Sequence, residues 1–254
     1  MAVRPGSRNS PRNTQSSASD GFQPGRYTPA YQPRRVQEEE LLDAIPASEA
    51  VPNMVDLARI NRWLGGYSVL RSAIRRVAGT SQGLRVLDVA AASTATADWL
   101  RESVPGVHVT SSDIRHDLLA LGNGDRAAAD ATRLPFRSGS FDVVICTLFL
   151  HHLSEDALLS ALREMHRVSR YGVVAVDLQR HFLAYHFLRM SHPFLRWHPV
   201  TLEDGRRSVQ AAFTAQELRD LVQQAGFADS KVHAHLPWFR LSVVIPKRGE
   251  SAAA

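Results

Sequence analysis

The fold of this chain is decided by the stretch LRVLDVAAASTATADWL, residues 84–100. Its first part is an apolar run of strand type that carries one carboxylate, Asp88. The small residues 90–95 follow and lead into a segment with helical character. A strand, a turn of small side chains and a helix bring backbone N–H groups close to a nucleotide-sized ligand in α/β proteins. The sequence therefore predicts a ligand site at this turn.

The turn has no glycine anywhere between Asp88 and Trp99. Turns of this kind use glycine where φ is positive or where the backbone must touch the ligand. The sequence thus leaves two interpretations open, a working ligand site and a site whose affinity has been weakened.

Length and composition set the class of protein. A chain of 254 residues with 44% hydrophobic residues can bury a full core. It has neither an apolar run of the ~20 residues that a membrane span needs nor an apolar signal-peptide core. The single cysteine, Cys146, fits a reducing compartment. We therefore expect a soluble, cytoplasmic protein.

The basic charge lies in the first 37 residues, where six arginines face one acid, Asp20. This segment accounts for the whole formal charge of +5, so nucleic-acid binding by the folded part is not expected. It is rich in Pro, Ser, Arg, Asn and Gly, which predicts a disordered basic tail over residues 1–37. A transit peptide is the alternative interpretation, but prolines and glycines would break the amphipathic helix that such a signal requires.

Residues 38–80 have a helical pattern that predicts an N-terminal lid segment over the sheet edge or the ligand site. A short helix over residues 39–45 is expected to end at Pro46. A second helix is expected after Pro52 and a third before Gly79, each with one apolar face.

Residues 81–248 alternate strands and helices, which is typical of a mostly parallel sheet with helical crossovers on both faces. Seven strands are predicted, and the last two, around residues 231–235 and 239–245, are expected to be antiparallel. Asp88, Asp113 and Asp130 each follow or end one of the first three strands. Ligands of open α/β sheets bind at those strand ends, so the three acids predict a nucleoside-binding crevice. The alternative is that Asp88 and Asp113 cap the helices that follow them and that Asp130 starts a turn.

Four motifs together resemble class I S-adenosylmethionine-dependent methyltransferases: VLDVAAAST, VTSSDI, DATRLPF and GSFDVVICTLFLHHL. The chain is similar above all to the ubiquinone and menaquinone biosynthesis type. DLARINRWLGG, DLQRHFLAY and FTAQEL also resemble bacterial methyltransferases of polyketide-like aromatics. The resemblance implies a Rossmann-like, seven-stranded methyltransferase fold with an antiparallel last strand.

The resemblance also implies a role for individual residues toward S-adenosylmethionine. Asp113, with Ile114 beside it, would bind the ribose, while Asp130 and Ala131 would meet the adenine. Asp88 would lie beneath the methionine moiety, either meeting it through water or holding the loop. The remaining implied contacts come from the turn and from the end of the fourth strand: Ala90, Ala92, Thr94, Thr147 and Leu148.

The acceptor side carries the candidate catalytic residues His151 and His152, which follow the fourth strand and could act as a general base. The alternative is that they only pack or cap the next helix. The aromatic and basic residues 180–199 predict a lipophilic or aromatic acceptor pocket, or a patch that touches a membrane-held substrate. No spacing typical of a zinc site supports a metal there.

The predicted function is methyl transfer from S-adenosylmethionine to oxygen or carbon of a small aromatic, polyketide-like or quinone-like acceptor. The alternative is a catalytically weak or inactive methyltransferase-like binding protein. Ala90, Ala92 and Thr94 stand where the family has glycines, and this favours the alternative. Asp113 and Asp130 favour the enzyme.

Overall fold

The computed structural model describes residues 30–247. A seven-stranded sheet organises them, with the strands in the order β3-β2-β1-β4-β5-β7-β6. The strands are β1 (Arg85–Val89), β2 (His108–Asp113), β3 (Asp125–Ala128), β4 (Phe141–Thr147), β5 (Ser169–Leu178), β6 (Lys231–His235) and β7 (Arg240–Pro246).

The first five strands are mutually parallel, and β7 is antiparallel to both β5 and β6. The predicted seven-stranded, mostly parallel sheet with an antiparallel pair at the end is therefore confirmed. Because β1 to β5 are parallel, their carboxyl ends share one edge of the sheet. Polar groups from distant parts of the chain meet at that edge.

Helices cover both faces of the sheet. They are α1 (Leu41–Ala44), α2 (Ala47–Trp63), α3 (Gly66–Ala78), α4 (Ala95–Ser103), α5 (His116–Leu119), α6 (Glu155–Val168), α7 (Phe182–Leu195), α8 (Pro199–Ala211) and α9 (Ala215–Gln224). Residues of α3 and α4 pack in one core cluster, and residues of α6 and α9 pack in the other. A short 3₁₀ turn, Leu150–His152, follows β4.

The central strand β4 shows why its sequence is continuously apolar. Val143 and Ile145 belong to the core cluster with α3 and α4, whereas Val144 and Cys146 belong to the cluster with α6 and α9. Successive side chains of a strand point to opposite faces, so a strand covered on both faces needs an apolar residue at every position.

Two predicted helix starts are confirmed by their caps. The Ser154 hydroxyl accepts a hydrogen bond from the backbone N–H of Ala157 at 3.3 Å. Thr214 and Glu217 form the predicted capping box at the start of α9.

Three helices differ from the prediction in their boundaries. Helix α1 spans Leu41–Ala44 and is shorter than the predicted residues 39–45. Helix α2 begins at Ala47 and contains Pro52, so the predicted start after Pro52 is wrong and the helix tolerates an internal proline that removes one backbone hydrogen bond. Helix α5 is shorter than the predicted span of residues 114–121. The backbone N–H of Arg115 donates to Asp113 Oδ1 at 2.8 Å, so the chain turns before the helix begins.

The predicted boundary of the tail at residue 37 moves to residue 31, the first residue of the folded unit. The backbone N–H of Val36 donates to the carbonyl of Gln210 at 3.1 Å. The Arg35 guanidinium donates to the carbonyls of Ala211 and Leu153 at 2.6 and 2.7 Å. These bonds hold the segment after Tyr31. The rest of the predicted tail, residues 1–29, lies outside the described residues.

The predicted lid, residues 38–80, is divided between two positions. Residues of α1 and α2 line the cavity described below, while the apolar face of α3 packs into the core of the sheet. Within residues 30–247, none of the helices is both long and apolar enough to span a membrane.

Candidate functional site

A cavity of about 610 Å³ lies at the carboxyl edge of the parallel strands. One side is formed by the turn after β1 and by the ends of β2, β3 and β4. The other side is formed by α2, α7, α8 and the residues that lead into β7. The cavity therefore joins the predicted cofactor crevice to the predicted acceptor region.

The turn after β1 keeps the backbone conformation that glycine normally supplies. Ala90, Ala92 and Thr94 have φ values of 56°, 47° and 61°. For a residue with a Cβ atom this conformation costs roughly 1–2 kcal/mol. The backbone at these three positions is therefore strained, and it lies in the positive-φ region that glycine favours.

Two hydrogen bonds to β2 hold the turn. The backbone N–H of Ala91 donates to the carbonyl of Ser112 at 3.0 Å. The N–H of Ala92 donates to Asp113 Oδ2 at 2.8 Å. Strained backbone persists only where its surroundings fix it, and these bonds do so here.

Thr94 is fully buried and does not line the cavity. Its side chain is therefore not placed to contact a ligand in the cavity. Its hydroxyl accepts from the N–H of Asn123 at 3.2 Å. A Cβ atom on Gly122 would lie 2.2 Å from the Thr94 hydroxyl oxygen. Thr94 therefore fits at this position only because Gly122 has no side chain.

Asp88 also lies outside the cavity wall and is 1% exposed. Neither carboxylate oxygen has a hydrogen-bond partner among residues 30–247. Burial, assisted by the nearby charge of Asp113, raises the pKa of Asp88 to about 8. The carboxyl group is thus mainly protonated at neutral pH, and it lies beneath the turn rather than against a ligand in the cavity.

The other predicted cofactor residues do line the cavity. They are Ala90, Ala92, Asp113, Ile114, Asp130, Ala131, Thr147 and Leu148. Asp113 accepts from Ala92 and Arg115 and, since a carboxylate offers about four lone-pair sites, retains capacity for two ligand hydroxyls. Leu148 has a positive φ of 54°. The neighbouring strands β1 and β4 are therefore each followed by a residue with a strained backbone.

The two histidines have different environments. His151 is 2% exposed, and its Nδ1 lies 2.6 Å from Asp177 Oδ1, while its Nε2 lies 3.6 Å from Glu40 Oε1. Burial alone would lower the pKa of His151, but Asp177 and Glu40 outweigh it and raise this pKa well above the ordinary value. His151 is therefore a fixed cation held between two carboxylates.

His152 is the accessible member of the pair, with 31% of its side chain exposed. Its Nε2 lies 3.9 Å from Glu40 Oε2 and its Nδ1 lies 3.9 Å from Asp43 Oδ2. Burial and then the charge of His151 lower the pKa of His152. At neutral pH this imidazole is uncharged and can accept a proton.

Within residues 30–247, the structure also brings together three side chains of the types that bind metals. They are Glu40, His151 and His152, whose donor atoms lie within 4.8 Å of one another. Carboxylate and imidazole are ligands for divalent transition metals. The positive charge of His151 between Asp177 and Glu40 explains this geometry without a metal ion.

Sequence reasoning missed three acids of the site. Asp177 stands near the end of β5, which is the same signal that identified Asp113, and could have been found. Glu40 and Asp43 reach the histidines from α1 and the residue before it, more than 100 positions earlier in the chain. No local pattern indicates such a pairing.

Comparison with known proteins matches residues 87–183 to the family model described as a methyltransferase domain. The demethylmenaquinone methyltransferase of Beutenbergia cavernae is 35% identical over 146 residues, which are 55% of this chain and 59% of the relative. That of Mycolicibacterium paratuberculosis is 34% identical over 133 residues, 51% of this chain and 56% of the relative. The chain thus spans a little over half the length of these curated relatives.

Solved structures share the fold at low sequence identity. The plantazolicin methyltransferase BpumL, in complex with a pentazolic desmethylPZN analog and S-adenosylhomocysteine, has a TM-score of 0.60 and 11% identity. The alignment covers 82% of this chain and 93% of that one. The pyocyanin biosynthetic protein PhzM has a TM-score of 0.50 and 17% identity, with 71% of this chain and 55% of that one covered.

The strain in the turn gives a first prediction. Ala90→Gly should raise the free energy of unfolding by about 1 kcal/mol, because glycine adopts positive φ without a steric penalty. Ala91→Gly is the matched control, since Ala91 is equally half-buried but lies outside the positive-φ region. It should lower stability by about 0.5–1 kcal/mol. Urea unfolding of both variants measures the difference, and a stability loss of equal size in both would contradict a strained turn.

Proposed function

We propose that this chain, whose residues 87–183 match the methyltransferase domain family, is a class I S-adenosylmethionine-dependent enzyme that methylates a small aromatic, polyketide-like or quinone-like acceptor. The observation that carries the proposal is that one cavity extends from Asp113 and Asp130 at the sheet edge to an apolar region, with His151 and His152 in its wall. An enzyme of this kind must bring its cofactor and its acceptor together in one enclosed space.

The cofactor half of the cavity has the donor and acceptor set that S-adenosylmethionine requires. In the proposal Asp113 accepts the ribose hydroxyls, and Ala131 and Asp130 receive the adenine. The backbone at Ala90 and Ala92 approaches the methionine portion. When bound, the cofactor supplies a methyl group on a cationic sulfur, so the residues of this chain mainly align the acceptor and exclude water.

Asp88 and Thr94 have supporting roles in this proposal. Both are buried outside the cavity, under the turn that carries Ala90 and Ala92. Thr94 fixes the turn through Asn123 and through its close fit against Gly122. These residues shape the cofactor site without touching its ligand.

The acceptor half is mostly apolar. Its wall is formed by side chains of α2 and α7 and by those that precede β7: Met54, Leu57, Phe187, Leu188, Trp238 and Phe239. Long aliphatic and aromatic side chains suit a flat, lipophilic acceptor. The demethylmenaquinone methyltransferases that the chain resembles are named for such a molecule. This supports a quinone-like or phenolic acceptor methylated at oxygen or carbon.

His152 is the proposed general base. It lines the cavity and is uncharged at neutral pH, whereas His151 is committed to Asp177 and Glu40. Removal of a proton from a phenol or enol produces the nucleophile for either oxygen or carbon methylation. The charge on His151 helps to keep His152 unprotonated.

A methyltransferase-like binding protein without turnover is the second candidate, and the substitutions at Ala90, Ala92 and Thr94 are its support. Their positive φ values weaken that support, because the backbone keeps the shape that glycines would give. Loss of activity would then have to come from the added methyl groups alone. The enzyme is therefore the proposal we favour.

The acceptor is the proposed partner, and no nucleic acid is expected. Several apolar side chains of α7 are exposed, namely Phe182, Leu183, Met190 and Phe194. Such a face suits contact with a membrane surface that holds a lipophilic acceptor. A cytoplasmic location remains part of the proposal.

Transfer of a labelled methyl group from S-adenosylmethionine to a panel of phenols and naphthoquinols tests the function. Methylated product is expected, and Asp113→Asn should raise the KM for S-adenosylmethionine at least tenfold by removing one ribose acceptor. Asp156→Asn, at an exposed position on α6, is the control and should leave KM unchanged. An unaltered KM in Asp113→Asn would contradict the assigned cofactor site.

The histidine pair predicts the pH dependence of turnover. The pKa of His152 is lowered, so the base is active above that pKa and is lost as pH falls through it, below the ordinary value of 6.5. The wild-type kcat/KM should therefore fall at acid pH. His152→Gln should remove this acid limb and reduce kcat about a hundredfold or more.

His166→Gln is the matched control, because burial also lowers the pKa of His166 and it packs against Phe227, away from the cavity wall. Its pH profile should match that of the wild type. An unchanged acid limb in His152→Gln would exclude His152 as the base.

A further inference from the structure

A buried arginine in the cavity wall points to the chemistry of the acceptor. Arg240 begins β7, lines the cavity and is 1% exposed. Burial lowers its pKa to about 10, partly offset by Asp177, so the guanidinium stays charged at neutral pH. A charge this deeply buried is expensive unless it is paired and fully hydrogen-bonded.

The hydrogen bonds of Arg240 are incomplete. Its Nε donates to the carbonyl of Leu64 at 3.5 Å, which is a long contact. Its Nη1 is buried and has no partner within the part of the chain that the structure describes. The nearby carboxylate of Asp177 is occupied by the His151 ring and by the backbone N–H groups of His151 and Leu178.

Arg180 is a buried arginine of the same protein whose guanidinium is fully paired, and it serves as a comparison for Arg240. It is 4% exposed. Its Nε donates to the carbonyl of Pro33 at 2.9 Å, and its Nη1 donates to the carbonyl of Ala212 at 2.6 Å. Its Nη2 is paired with Glu217. The two arginines are similarly buried, but only Arg240 retains an unused donor, and that residue is the one in the cavity wall.

The topology places Arg240 on the acceptor side. Arg240 is paired with Leu178 at the end of β5, and β7 lies two strands beyond β4 in the sheet. Neighbouring strands are about 4.8 Å apart, so β7 lies roughly 14 Å from β1, whose turn serves the cofactor. Trp238 and Phe239, the residues just before Arg240, add aromatic surface to the same wall.

We infer that Arg240 binds an anionic oxygen of the acceptor, a carboxylate in the first instance, and orients an otherwise apolar aromatic molecule in the cavity. This inference rests on the proposed function. The guanidinium offers a planar fork of donors that matches a carboxylate. The acceptor class is thus an aromatic acid, with its acidic group at β7 and its methylated group near His152 and the end of β4.

Binding to the S-adenosylhomocysteine-saturated protein tests the inference, with hydroxynaphthoate and naphthol as probes. The wild type should bind hydroxynaphthoate at least tenfold more tightly than naphthol. Arg240→Met should abolish this preference and leave the affinity for naphthol unchanged. Arg240→Lys, which keeps the charge but lacks the fork, should retain part of it.

Thermal unfolding separates a ligand-binding role from a structural one. Without ligand, Arg240→Met should have a Tm equal to or above that of the wild type, because an incompletely paired buried charge is removed. Arg180→Met is the matched control and should lower the Tm by several degrees, since it leaves the carbonyls of Pro33 and Ala212 without their donor. A Tm loss in Arg240→Met as large as that in Arg180→Met, or failure to fold, would overturn the inference.

The cofactor also carries a carboxylate, and a second titration distinguishes the two sources. The affinities for S-adenosylhomocysteine and for methylthioadenosine, which lacks the amino-acid portion, should both be unchanged in Arg240→Met. A selective loss for S-adenosylhomocysteine would assign Arg240 to the cofactor and overturn the acceptor assignment. Equal wild-type affinities for hydroxynaphthoate and naphthol would also overturn it. Failure of the wild type to bind S-adenosylhomocysteine would instead contradict the proposed function itself.

Discussion

The hydrogen bond from the backbone N–H of Ala92 to Asp113 is the interaction on which the site depends. It joins the turn after β1 to the acid that ends β2, so one carboxylate both holds a strained backbone and faces the cavity. A second bond, from Ala91 to the carbonyl of Ser112, fixes the same turn. Together they keep a glycine-like conformation in a turn that contains no glycine. The proposed cofactor site depends on that conformation, because Ala90 and Ala92 themselves line the cavity.

Buried charge is concentrated on the acceptor side of the cavity. His151 lies between Asp177 and Glu40, and Glu40 also accepts from Ser208. Arg240 lies nearby with an unused donor. Charges in such positions destabilise a protein unless they are paired and hydrogen-bonded. The His151 cluster is satisfied internally and lowers the pKa of His152, whereas Arg240 keeps an unused donor. In the functions proposed above, these two features give the acceptor half one end where His152 accepts a proton and one end where Arg240 binds an anion.

The order of apolar and polar residues within each segment was sufficient to predict the sheet, because this order reflects whether one or both faces of a strand are buried. The run FDVVICT predicts a strand covered on both faces, and Thr214 with Glu217 predicts a helix start. Three details depended on contacts distant in sequence. Thr94 is buried against Gly122, Asp88 is enclosed beneath the turn, and Glu40 reaches His151. The positive φ of Ala90 is indicated by its place in a turn that resembles a glycine turn, and not by alanine itself, which prefers negative φ.

Calorimetric titration of the wild-type chain with S-adenosylhomocysteine tests whether the glycine-free turn still binds the cofactor. We expect one-to-one binding with a dissociation constant in the micromolar range, about −8 kcal/mol. Absence of binding at millimolar S-adenosylhomocysteine would contradict it, and the methyltransferase-like protein without turnover would then be the better description.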